Sequence, residues 1–176
     1  MSLSKEFARM VQEQSELVPF IHPLLCGIEF SHHSKQANRC ISEYNHLIHM
    51  AARQEWQELP DILEALHNPL TAIVVTSATE KIEWVNSGFF RMTGYSEKEA
   101  LGRRPVFLQG KETSRRDVAQ IRTSIQQNKP YTGTILNYRK NGEAYHCSVN
   151  IIPLFSRSKE VVNFMAIENE VEVSTP

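Results

Sequence analysis

The pattern of apolar positions changes character near Pro60. Before it, apolar residues recur at helical spacing. Phe7, Met10 and Val11 share one helical face, and Leu17 and Val18 lead to a break at Pro19. Ile41, Tyr44, Leu47, Ile48 and Ala51 follow three-and-four spacing and predict a helix over residues 34–58. The stretch between, residues 20–30 (FIHPLLCGIEF), is too apolar for a loose linker and is expected to be buried. Pro60 and Asp61 start a short helical piece that Asn68-Pro69 stops.

After Pro69 the pattern is that of short strands. Residues 70–76 (LTAIVVT) are apolar and β-branched, hence a buried strand, and residues 81–86 (KIEWVN) alternate as its hairpin partner. Ser96-x-x-Glu99 is a helix capping box, and Ser114-x-x-Asp117 resembles one ahead of the periodic Val118, Ile121, Arg122 and Ile125. Residues 131–139 and 143–154 are strands joined by Asn141-Gly142, a strong hairpin signal, and residues 161–169 form the last strand. The order β-β-α-α-α-β-β-β predicts an α+β fold, a five-stranded antiparallel sheet with helices on one face. Residues 1–61 form a helical extension, expected to serve dimerisation or signalling, and residues 62–172 the sheet domain.

Composition narrows the function. Of the 176 residues, 41% are hydrophobic and 22% charged, which is globular. A net charge of −1 with interspersed signs gives no reason to expect nucleic acid or an anionic membrane as partner. No apolar run approaches about 18 residues, so no span of a bilayer is predicted. Residues 1–10 carry Lys5, Glu6 and Arg9 and do not read as a secretory signal. The three cysteines, Cys26, Cys40 and Cys147, lack metal-like spacing, and a reducing cytoplasm fits them best.

The stretch from Asn86 to Gly102 (NSGFFRMTGYSEKEALG) closely resembles the signature of PAS sensory domains. Asn86 suits a strand-to-helix turn, Phe89 or Phe90 fills the core, Gly94 gives a tight turn its backbone freedom, and Ser96 caps the next helix. The following stretch, GRRPVFLQGKET over residues 102–113, is similar to the flavin-cradling motif of the light-oxygen-voltage (LOV) kind of PAS domain. Arg103, Phe107, Leu108, Gln109 and Gly110 match that motif. Ile121, Arg122 and Ile125 stand where the family places an isoleucine, a phosphate-binding arginine and another apolar residue. Asn137 stands where an asparagine meets the flavin ring edge. The resemblance spans residues 68–171 and implies the PAS fold, with FMN or FAD as cofactor. The cofactor site it implies also takes in Thr76, Asn86, Val149, Ile151 and Phe164.

The departures constrain the chemistry. Arg104, Pro105 and Val106 replace the family's asparagine, cysteine and arginine. Pro105 has no nucleophile, so the flavin–cysteinyl adduct cannot form there. The phosphate-contacting arginine missing at Val106 leaves Arg104 or Arg103 as substitutes. Cys147 stands where a second asparagine is usual; it faces the pocket with Val149 and Ile151 and reads as a buried structural thiol. Glu168 replaces the glutamine that reports the flavin state. Sharing a strand face with Phe164 and Ala166, it is either a poorly solvated pocket carboxyl with a raised pKa, able to donate a proton to photoreduced flavin, or a solvated strand end.

His46-x-x-His49 lies on a helix, with His32-His33 before it, but no carboxylate or cysteine pattern completes a metal shell, so packing or surface roles are expected. Residues 114–127 carry no histidine, which argues against heme. The last strand is apolar on both faces, with Val161, Met165 and Ile167 opposite Phe164 and Ala166, and Ile152 and Leu136 add to the outer face. That face should be covered by the N-terminal helices or by a second subunit.

These readings converge on a cytoplasmic LOV-like sensory module that binds flavin and responds to blue light or redox state by flavin photoreduction. A homodimer through the N-terminal helices and outer sheet face is expected, with a possible effector protein but neither nucleic acid nor membrane as partner. The alternative is a PAS interaction module with an empty or non-flavin pocket. An enzyme is not expected: no Ser-His-Asp arrangement, paired catalytic carboxylates, P-loop or dinucleotide motif is recognisable.

Overall fold

The first element, in a computed structural model that describes residues 29–172, is helix α1 (Glu29–Arg53). The face expected from Phe7, Met10 and Val11 lies outside the described residues, as does the apolar segment 20–30 except for its last two positions. The chain divides into two units at Lys35, and everything that follows concerns the unit from Gln36 onward.

Helix α1 ends five residues before the predicted stop at residue 58. Glu55 adopts φ 55°, and the Trp56 and Glu55 amides donate to the Ala51 and Ala52 carbonyls at 2.9 and 3.4 Å. This is a left-handed C-terminal cap, usually built on glycine or asparagine. The positive φ of a glutamate is unfavourable by itself. It is tolerated because the turn swings Trp56 into the core, where only 6% of it is exposed. A short helix, α2 (Leu63–His67), follows and buries Leu66.

Five strands then build one antiparallel sheet: β1 (Ala72–Ser77), β2 (Ile82–Val85), β3 (Tyr131–Tyr138), β4 (Ala144–Phe155) and β5 (Val161–Glu170). Their spatial order is β2-β1-β5-β4-β3. First and last strands thus pair at the centre, Val74 opposite Ala166 and Thr76 opposite Phe164. Between β2 and β3 lie α3 (Ser87–Thr93), α4 (Glu97–Ala100), a 3-10 turn (Pro105–Leu108) and α5 (Arg115–Gln126). The Asn141-Gly142 signal does mark the β3–β4 hairpin. Its loop has three residues, with Gly142 at φ 87° and the Arg139 amide donating to the Glu143 carbonyl at 2.8 Å.

The sheet carries the helices between β2 and β3 on one face, as expected, and the N-terminal helices on the other. On the inner face, Ala72, Val74, Ile135, Val149 and Phe164 pack with Phe89, Met92 and Leu108. On the outer face, Ile73, Val75, Trp84, Leu154 and Met165 pack against Leu47 and Met50 of α1, against Trp56, and against Ile62 and Leu66 around α2. The extension and the sheet therefore share a core across the predicted boundary at residue 61. The chain's own helices cover the outer face over β1 and β5. Among the described residues no helix is long and apolar enough to cross a membrane.

Candidate functional site

Asn86 shows how the signature residues build the site's frame. Its Oδ1 accepts from the Ile73 and Phe89 amides at 2.8 and 3.1 Å, and its Nδ2 donates to the Thr71 carbonyl at 2.9 Å. One side chain thereby caps α3 and ties it to β1. Gly88 continues the joint, since a Cβ there would lie 1.9 Å from the Thr71 carbonyl oxygen. Of the two candidate phenylalanines, Phe89 is fully buried and Phe90 is exposed.

Helix α5 stands off from the sheet. Ser114 caps it by accepting from the Asp117 amide at 3.3 Å, yet none of its residues is fully buried. Val118, Ile121 and Ile125 face the sheet only partly covered. Beneath them is a cavity of about 290 Å³. Close-packed interiors do not leave space of that size between apolar walls, and it lies near the lower end of small-molecule sites, ~300–1,000 Å³.

The cavity brings together most of the residues singled out from the sequence. Thr76, Val149, Ile151 and Phe164 come from the sheet, and Leu108, Ile121 and Ile125 from the opposing wall. Pro105 also lines it, on the 3-10 turn. The polar lining falls at two ends. Asn137 and Glu168 are buried, at 6% and 7% exposure, whereas Arg104 and Arg122 are exposed and Gln109 is intermediate.

Three of the expected residues are placed elsewhere. Asn86 is fully engaged with backbone, as described. Arg103 lays its guanidinium over the Phe107 ring at 3.7 Å, outside the cavity. Cys147 is on the inner face and fully buried, but it sits behind the lining, with Sγ 3.7 Å from Glu168 Oε2. Its thiol pKa is pushed far up by burial and then by the Glu168 carboxylate.

Glu168 is buried and is not a solvated strand end. Its carboxyl has the Cys147 thiol as its side-chain hydrogen-bond partner, and burial pushes its pKa up to about 7. Tyr145 completes the cluster. Its hydroxyl is buried, with Asn137 beside it at a geometry that leaves it without a hydrogen bond, and burial together with Glu168 raises its pKa. The Arg139 guanidinium lies 4.6 Å from the Tyr145 ring centroid.

Val74, Val106, Val118, Ile135 and Ala166 also line the cavity, as does Glu80. Strand parity and helix periodicity reach most of the apolar ones. Glu80 carried no signal: it is a turn residue that meets Arg104, 24 positions on, through a 2.8 Å ion pair. The His46-x-x-His49 pair has a packing component, since the His46 ring stacks on Trp84 with centroids 5.4 Å apart.

A five-stranded sheet with α5 packed on its edge strand β3, over such a cavity, defines a class of sensory fold, and sequence comparison agrees. Residues 70–172 match the family described as PAS domain. The chain belongs to that family, and its PAS domain is of the LOV type. Phototropin-2 of Oryza sativa subsp. japonica is 34% identical over 119 residues, covering 68% of this chain and 13% of that protein. A blue-light photoreceptor of Listeria innocua serovar 6a is 34% identical over 113 residues, covering 62% of this chain and 44% of that protein. The chain thus spans well under two thirds of either relative. A solved structure concerned with a flavin analogue and the mechanism of a light-oxygen-voltage domain superposes with a TM-score of 0.59 at 30% identity, covering 63% of this chain and 84% of that one. The domain is a sensory, signal-transducing module.

Proposed function

We propose that the cavity holds a flavin, FMN or FAD, and that the domain senses blue light or redox state without cysteine chemistry. The observation that carries this is the cavity's polarity: apolar walls, a buried polar end at Asn137 and Glu168, and a cationic end at Arg104 and Arg122. That set suits a planar heterocycle with a hydrogen-bonding edge and an anionic tail. The unpartnered Tyr145 hydroxyl behind Asn137 is a further sign of an end arranged for polar contacts.

When bound, the flavin supplies blue-light absorption and electron acceptance. The chain's own residues do the rest. Asn137 and Gln109 orient the ring through carboxamides that can donate and accept. Ile121, Ile125, Val149 and Ile151 exclude water from its faces. Arg122, exposed and without an ion-pair partner among the described residues, meets the phosphate. Pro105 offers a wall and no nucleophile. Glu168, with a pKa near 7, is protonated in about half of the molecules at neutral pH and in that form can pass a proton toward the ligand.

The test is an absorption spectrum of the purified protein, before and after reconstitution with FMN or FAD, in darkness and under blue light. A bound flavin band in the blue, reduced by light in the presence of an electron donor, is expected. No flavin band even after reconstitution would sink the proposal and leave a PAS interaction module as the reading. The output we propose runs through α1 to a second copy or an effector protein in a reducing cytoplasm, a setting that suits the free, buried Cys40 and Cys147. A monomer by light scattering at all concentrations and in both light states would remove the homodimer.

A further inference from the structure

Four ionisable residues line the cavity: Glu168 at the buried end, and Glu80, Arg104 and Arg122 at the exposed end. Glu80 is held in place. It takes φ 64° in the β1–β2 turn, its amide donates to the Ser77 carbonyl at 2.9 Å, and the Ser77 amide donates to the Lys81 carbonyl at 2.8 Å. This brace fixes the Glu80 backbone, from which its carboxylate meets Arg104 at 2.8 Å. Arg122, also exposed, lines the same cavity and has no acidic partner among the described residues.

We infer that Glu80 is a specificity-determining residue in the cavity lining, a built-in competitor that occupies Arg104 and weakens the site's preference for a phosphate-bearing ligand over its phosphate-free analogue. The inference rests on the flavin reading above. Two exposed arginines lining one cavity offer a phosphate dianion two guanidinium partners. The Glu80 carboxylate cancels one of those charges and adds an anion where the phosphate must approach. With side chains 52% and 37% exposed, the pair is easily broken. Arg104 can therefore be won by a phosphate, but only against Glu80. Recognition of the tail is left mainly to Arg122, and a phosphate-free flavin loses little by comparison.

Flavin-free protein, as wild type and as Glu80→Gln, is titrated with riboflavin and with FMN, which share ring and ribityl chain and differ in the phosphate. Flavin fluorescence gives both affinities. Glu80→Gln is expected to raise the FMN-to-riboflavin affinity ratio roughly two- to fivefold at low salt. The gain should shrink at 1 M salt, where the screening length is about 3 Å. Arg104→Ala should cost FMN affinity little with Glu80 present and clearly more in the Glu80→Gln background, a coupling that a merely structural turn residue would not produce. An unchanged ratio, an equal rise for both flavins, or an equal Arg104→Ala cost in both backgrounds overturns the inference alone. Binding of neither flavin to the wild type overturns the flavin reading and this inference with it.

Discussion

The indole Nε1 of Trp56 donates a 2.8 Å hydrogen bond to Oδ1 of Asn163, which is fully buried on the outer face of β5. Asn163 in turn donates through Nδ2 to the Thr76 carbonyl and to Glu83 Oε2, each at 3.0 Å. One amide therefore joins the segment after α1 to β5, β1 and β2. Because Thr76 also lines the cavity, the joint connects the helical extension with the strand that forms part of the site wall.

Trp56→Phe should keep most of the apolar burial while leaving the Asn163 oxygen without its partner. The expected cost is about 1–3 kcal/mol, the price of a buried unsatisfied acceptor. Urea unfolding followed by circular dichroism should show a lower midpoint with an unchanged slope. An unshifted midpoint would mean that solvent reaches Asn163.

Gly88→Ala should be far more damaging than its size suggests. The new methyl would sit 1.9 Å from the Thr71 carbonyl oxygen, a backbone atom held by the Asn86 amide. A loss of roughly 3 kcal/mol or more is expected, because neither α3 nor β1 can give way without breaking the joint at Asn86. Ordinary expression and melting of this variant would show that α3 is not locked to β1.

Glu168 should make stability pH-dependent. Its carboxyl has a pKa of about 7 in the fold against 4.5 unperturbed. The unfolded chain therefore releases this proton before the folded one does as pH rises. The stabilisation is fully present below about 4.5 and is lost as pH passes through about 7. The amount is up to roughly 3 kcal/mol. Melting of flavin-free protein across that window should show wild type losing stability toward neutrality and Glu168→Gln losing less. Parallel profiles for the two proteins would place the titration elsewhere.

Helix α5 should be the least protected of the longer helices. It has no fully buried residue, and the cavity lies under its apolar stripe. Hydrogen exchange of the flavin-free protein should be fast over Arg115–Gln126 and slower in residues 39–53 of α1, where Leu47 and Met50 are buried. Adding flavin should slow α5 selectively. Uniform protection with and without ligand would count against a ligand between α5 and the sheet.

The sheet, its strand order in sequence and the helix starts at Ser96 and Ser114 were legible in the sequence because they depend on local rules: side-chain alternation, capping residues and turn chemistry. Thirteen of the sixteen expected site residues do line the cavity, since strand parity and helix period decide which side chains share a face. The three that do not are set by competing partners. Backbone groups take Asn86, the Phe107 ring takes Arg103, and the layer behind the lining takes Cys147. The stop of α1 was missed because a glutamate holds the left-handed position, a conformation that the distant packing of Trp56 supports and no local pattern announces. Glu80 was missed for the same kind of reason, its partner lying 24 residues on.

By itself, the sequence determined that this chain carries a PAS domain of LOV type and that position 105 has no thiol, because fold signatures and residue identities are local information. Only the tertiary structure decided that the chain's own helices cover the outer sheet face over β1 and β5, that Glu168 is buried, and that Glu80 stands against Arg104 in the cavity lining. Those outcomes depend on which surfaces meet across long sequence separations. Burial and charge pairing are properties of that meeting and not of the residues alone.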